Sequence, residues 1–276
     1  MSRVPDEDTA EPAASCGMPA GSHCGMHAYH DRLRWFSAGE TPCDPVPPRP
    51  LRPARIVLLG APGAGKGTQA ELLARRLGAC HLATGDLFRN LLAVESWQRT
   101  PAMNSAVEHM QRGDLVPDGT VVNLIQDRFH CLHCPTGFLL DGFPRTVPQA
   151  LALDGILDPQ GLALNAVINY ELPIEETIVR LAGRRVCMGC KSVFHVEARP
   201  PRVAGVCDRC GSALILRADD RPEAIRIRMD AFHRNTEPLV EFYRHRGSLV
   251  SVPAEGRPDD VFQRTVSLLN GQLQAA

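Results

Sequence analysis

Four apolar residues, Ile56, Val57, Leu58 and Leu59, run directly into the stretch Gly60 to Thr68, which reads G-A-P-G-A-G-K-G-T. An apolar run ending in glycines reads as a buried strand feeding a tight turn. A turn that then carries Lys66 and a hydroxyl is a phosphate cradle. Glycines let successive backbone N–H groups converge on phosphate oxygens with no Cβ in the way. The helix expected over 67–77 aims its positive end at the same point, and Lys66 adds a point charge. Gly67 follows the lysine and Thr68 brings the hydroxyl one place later than the general pattern, a more particular spacing. Gly63, Ala64, Gly65, Lys66, Gly67 and Thr68 are therefore the expected phosphate ligands.

After Arg52 the pattern alternates. Strands are expected at 55–59, 137–140, 165–169 and 248–252, and helices at 67–77, 86–95, 101–112, 118–130, 147–154, 174–182, 221–245 and 258–270. This is the α/β signature of a central parallel sheet flanked by helices. A segment from Cys187 to Arg217, rich in Cys, Gly, Pro and Arg, interrupts it like an inserted small domain. Residues 1–52 show no periodicity, and prolines at 42, 45, 47, 48, 50 and 53 favour an extended, disordered leader to a domain over 53–276. Its Cys16, His23, Cys24, His27 and His30 match no closed metal site.

A formal charge of −1 and a pI near 6.8 give no broad field for a polyanion, so nucleic acid is not an expected partner. No run of 18 apolar residues exists, and Asp6, Glu7, Asp8 and Glu11 stand where a targeting peptide would be basic. The expectation is a cytoplasmic protein without membrane contact. Six of the ten cysteines fall into three C-x-x-C pairs, the usage of reduced thiols. Cys187-x-x-Cys190 and Cys207-x-x-Cys210 form a four-thiolate zinc pattern; two disulfides are the competing explanation. With four protein ligands no position stays open, so the Zn²⁺ is structural. Cys131 and Cys134 make the third pair, in H-C-L-H-C, and read as incidental or redox-sensitive thiols; Cys43 and Cys80 carry no assigned role.

Gly137 to Thr146 reads G-F-L-L-D-G-F-P-R-T and places Asp141 at the carboxyl end of a strand, where ligands of such sheets bind. A carboxylate there can hold Mg²⁺, directly or through water, and Arg145 can reach a transferring phosphoryl group. With Ala83 to Arg89, A-T-G-D-L-F-R, these stretches resemble the adenylate kinase family, over residues 54 to about 270. The resemblance implies a P-loop nucleoside monophosphate kinase with an AMP-binding helical insertion at 83–116 and a zinc-binding lid at 183–220. It implies AMP contacts from Thr84, Arg89, the backbone of Asp114, Leu115 and Val116, the Gly142, Phe143, Pro144 and Arg145 turn, and Gln149. Phosphate-clamping arginines map onto Arg180, Arg184, Arg217 and Arg228, and the segment facing the ATP adenine onto Arg257. Thr84 favours AMP over pyrimidine monophosphates.

The chain departs from the family in two places: it is longer between Arg89 and Gly113, and it has Met103-Asn104 where Leu-Gly is common. The expected activity is reversible transfer from Mg·ATP to AMP by a monomer, giving two ADP. Lys66, Arg145, Arg184, Arg217, Arg228 and Asp141 carry the chemistry. A related kinase preferring GTP as donor is one alternative. A zinc ribbon on a nucleic-acid-binding P-loop protein is the other, and it leaves Asp141–Arg145 and Thr84–Arg89 without purpose.

Overall fold

A computed structural model describes residues 53–112, 115–128, 132–134, 136–190 and 192–275. The apolar run forms β1 (Ala54–Gly60), which pairs in parallel with β3 (Gly137–Asp141) on one side and β4 (Ala166–Glu171) on the other. Outside these lie β2 (Cys80–Ala83) and β8 (Leu249–Pro253), giving the order β2-β3-β1-β4-β8. β1 is a continuous hydrophobic run because both faces are covered. Val57 and Leu59 face one core with Leu82, Leu140 and Val167. Ile56 and Leu58 face another with Leu139, Ile168 and Val252. Truncating any of these fully buried side chains to Ala removes about 2–5 kcal/mol.

α1 (Lys66–Leu77) covers the second core with α9 (Pro258–Ala275). α2 (Thr84–Leu91), α3 (Pro101–Arg112) and α4 (Asp118–Gln126) connect β2 to β3, and α5 (Val147–Leu157) follows β3. α6 (Ile174–Gly183) runs with no loop into a small antiparallel sheet of β5 (Arg184–Cys187), β6 (Val193–His195) and β7 (Leu214–Ile215), order β6-β5-β7. α7 (Pro222–Asn235) and α8 (Glu237–His245) lead back to β8.

Four expectations need correction. β2 went unread. The helix expected over 86–95 begins at Thr84 and ends at Leu91, where Ala93 N–H and Val94 N–H turn back to Asn90 O and Leu91 O in tighter i→i+3 bonds. The helix expected over 118–130 ends at Gln126, and the buried Arg128 guanidinium folds back to donate to Leu124 O at 2.7 Å. The helix expected over 221–245 is two helices meeting at Thr236. Pro238 has no N–H for the ladder, and its ring would meet the carbonyl of Arg234.

Candidate functional site

The loop after β1 folds as its glycines allow. Gly63 and Gly65 sit at φ +89° and +90°, and a Cβ on Gly63 would lie 2.9 Å from Leu181 Cγ and 3.0 Å from Thr177 O. Lys66 Nζ donates to Gly60 O at 2.7 Å and Ala61 O at 2.8 Å. These loop carbonyls hold the ammonium in place. Gln69, buried in the first turn of α1, donates from Nε2 to Pro258 O at 2.9 Å and so ties the segment after β8 to the loop helix; Arg257 itself is exposed.

β3 delivers Asp141 beside this loop, with Oδ2 only 3.5 Å from where a Cβ on Gly67 would stand. His81 Nε2, from β2, lies 3.4 Å from the same oxygen. Burial alone would raise the Asp141 pKa. The hydrogen bond and charge of His81, with the charges of Lys66 and Arg145, outweigh it and hold the carboxyl below the ordinary aspartate range. A half-buried carboxylate kept ionised beside a phosphate loop fits a hydrated Mg²⁺.

The β3–α5 turn is tightly wound. A Cβ on Gly142 (φ +85°) would lie 2.8 Å from Thr84 Oγ1, and Thr84 Oγ1 donates to Asp141 O at 3.2 Å. Phe143 and Pro144 are buried around a cis peptide. Arg145 Nε donates to Gly142 O at 2.9 Å, and its carbonyl accepts from Thr236 Oγ1 at 3.2 Å. Thr146 caps α5 by accepting Gln149 N–H.

Around this turn the guanidinium groups crowd one another. Arg89 is held by Asp86 at 2.5 Å. Arg184 forms a bidentate pair with the buried Asp220, and Arg228 donates to Asp220 Oδ1 at 3.1 Å and to Asp219 O at 2.8 Å. Burial, then the charges of Arg89 and Arg184, bring the Arg217 pKa down to about 10. Arg228 is also lowered, by burial first and by Arg184 among its neighbours. Cations packed closely enough to oppose one another's charge form a site that suits an anion.

Not every expected residue joins this group. Arg180 is paired with Glu176 on its own helix at 2.6 Å. Leu115 is 89% exposed, and Asp114 lies outside the described residues. Gln149 is buried with its amide bonded to Arg145 N–H and to Asp118. A cavity of about 570 Å³ beside Tyr170, Phe232 and Glu241 contains none of the expected ligands. His81, Asp118 and Asp220 were missed by sequence reasoning, although the Asp219-Asp220 pair stands two residues after the candidate Arg217.

The four lid cysteines converge, their Sγ atoms all within 4.8 Å of one another, with Cys187 to Cys210 at 3.3 Å and Cys190 to Cys207 at 3.6 Å. A tetrahedron with Zn–S bonds of about 2.3 Å has S···S edges of about 3.8 Å, so the donor set fits zinc. The cross-pairing of the two motifs matches one shared ion better than a disulfide within each motif. Elsewhere Cys134 meets Cys80, Sγ to Sγ 3.0 Å, while Cys131 lies outside the described residues. Among the described residues no helix is long and apolar enough to cross a membrane.

Residues 58–248 match the family model for adenylate kinase. An adenylate kinase of Lachnospira eligens is 45% identical over 215 residues, 78% of this chain and 99% of that protein. Those of Streptomyces avermitilis and Carboxydothermus hydrogenoformans are each 45% identical, over 78% and 75% of this chain and 96% and 95% of their own lengths. The matched span contains the loop, the strand-end carboxylate, the arginines and the four cysteines, and on that footing the chain belongs to the adenylate kinase family.

Proposed function

We propose that this chain catalyses reversible phosphoryl transfer from Mg·ATP to AMP, giving two ADP. The observation that carries the reading is the crowding of Arg89, Arg145, Arg184, Arg217 and Arg228 beside Lys66 and Asp141. Phosphoryl transfer asks a protein mainly to position two phosphate chains and match their spread charge, and guanidinium forks do both. In this reading Lys66 and the amides of Gly63 to Thr68 hold the ATP phosphates, and Asp141 orients Mg²⁺ through water. Arg89 and Arg145 grip AMP, with Thr84, Gly142 and Gln149 around it. Residues 83–116 are the AMP-binding insertion.

Arg184, Arg217 and Arg228 close on the transferring group as the lid, 183–220, excludes water. Asp220 pairs with Arg184 and Arg228, and Asp219 with Arg228, so phosphate binding at these two arginines exchanges carboxylate for phosphate oxygens. A single structural Zn²⁺ on Cys187, Cys190, Cys207 and Cys210 holds a lid too small for a core of its own. The enzyme acts as a cytoplasmic monomer, the location supported by the C-x-x-C usage of reduced thiols.

The test is transfer from Mg·ATP to AMP, CMP, UMP and GMP by full-length protein. AMP alone is expected to turn over quickly, and Lys66→Ala or Arg145→Ala to lower turnover by orders of magnitude without unfolding the chain. Unchanged turnover in either variant sinks the mechanism.

A further inference from the structure

Both ends of the Gln149 amide are engaged, by partners of opposite and fixed kind. Arg145 N–H donates to Oε1 at 2.8 Å, and Nε2 donates to Asp118 Oδ1 at 2.6 Å. Asp118 opens α4, on the far side of the turn, and its other oxygen accepts from Thr146 Oγ1 at 2.7 Å. A backbone N–H only donates and an ionised carboxylate only accepts. Turning the amide over would set NH₂ against N–H and Oε1 against the carboxylate, two repulsions around a side chain 5% exposed. The partners, not rotamer freedom, fix which end is which.

An amide oxygen has two acceptor sites and an amide nitrogen two protons, so these bonds leave one of each. What remains is an acceptor beside a donor, in a fixed order. That pair complements an edge offering an amino N–H beside a bare ring nitrogen, as adenine does with N6 and N1. It opposes an edge offering a carbonyl oxygen beside a ring N–H, as hypoxanthine and guanine do. A glutamine free to rotate by half a turn would serve both equally.

We propose that Asp118 is a positioning residue for base specificity: by locking the Gln149 amide it commits the acceptor site to 6-amino purines and excludes 6-oxo purines. This rests on the reading above in which Gln149 faces the acceptor base. Asp118 itself touches no substrate, and it also bridges the helical insertion to the turn that carries Arg145. The same carboxylate therefore sets both the amide's orientation and its height above the turn.

The experiment compares kcat/KM for AMP and IMP, with Mg·ATP as donor, in the full-length zinc-loaded enzyme. IMP has the size of AMP and the inverted edge. The ratio cancels the active fraction, so a partly unfolded variant still reports. The parent enzyme is expected to prefer AMP by about a hundredfold or more, because a buried mismatch leaves polar groups unpaired. Asp118→Ala should shrink that preference at least tenfold, through a higher KM for AMP and a lower one for IMP. Asp118→Asn, whose oxygen can still accept from Gln149 while its NH₂ donates to Thr146 Oγ1, should restore most of it. An Asp118→Ala enzyme that loses AMP and IMP activity by the same factor overturns the lock. Gln149→Ala separates the two layers. If it raises the KM for AMP while the Asp118→Ala ratio is unchanged, the lock alone is wrong. If it leaves the KM for AMP untouched, the reading beneath the lock fails with it.

Discussion

Lys66 is half-buried under its own loop, and its pKa falls from 10.5 to about 8, by burial first, with Arg145, Arg228 and Arg184 pushing the same way against Asp141. Between about pH 8 and 10.5 the folded chain thus binds fewer protons at this site than the unfolded chain. Stability rises with pH through that window, and below it the buried ammonium costs about 3 kcal/mol. A bound triphosphate supplies the opposite charge and draws the proton back. At pH 8 binding should take up about half a proton, and at pH 6 almost none.

For the enzyme already holding AMP, kcat/KM for Mg·ATP should be level below pH 8 and then fall, approaching about tenfold per pH unit. Lys66→Arg, whose guanidinium stays charged, should be slower yet lose that falling limb. Rates from pH 6 to 10 for both proteins, with calorimetry at pH 8 in two buffers of different ionisation enthalpy, decide the matter. A parent profile flat to pH 10, or a limb near pH 8 that persists in Lys66→Arg, refutes the assignment.

Two further outcomes are expected. Purified protein should hold about one zinc per chain; a chelator should melt the small sheet and abolish transfer, and zinc should restore both, since a structural zinc contributes on the order of 10 kcal/mol to such folds. A metal-free protein with an unchanged melting profile would contradict the shared site. In Gly183→Ala the new Cβ would stand 2.2 Å from His195 Nε2, and that ring is fixed by accepting Glu197 N–H and Ala198 N–H on Nδ1. A loss of about 1–3 kcal/mol and faster hydrogen exchange over 195–199 should follow, and unaltered exchange would show that the imidazole is free to move aside.

The parts of the site that sequence reveals are those whose chemistry demands fixed local spacing: the loop from Gly60 to Thr68, the strand-end Asp141 and the paired cysteines. β2 was illegible because four residues buried on both faces, two of them Cys80 and His81, show no alternation. With it went His81 as a neighbour of Asp141. Asp118 looks like any acid in a first helical turn, and its role comes from bonds to residues 28 and 31 positions away. Cys80 and Cys134 meet across 54 positions for the same reason. Pro238 was different, since a proline inside an amphipathic run is a readable break, and the expected 221–245 helix ran through it.

The small antiparallel sheet shares no strand pairing with the five-stranded one. At one end it begins at Arg184, directly after Gly183 closes α6, and at the other it ends at Ile215, just before the Asp220 carboxylate that binds Arg184 and Arg228. The stretch between, Arg184 and Arg217 apart, can therefore change without moving a residue of the β2-β3-β1-β4-β8 register. The small sheet is in this sense an exchangeable cassette: its interior can change while Arg184 and Arg228 stay anchored on Asp220.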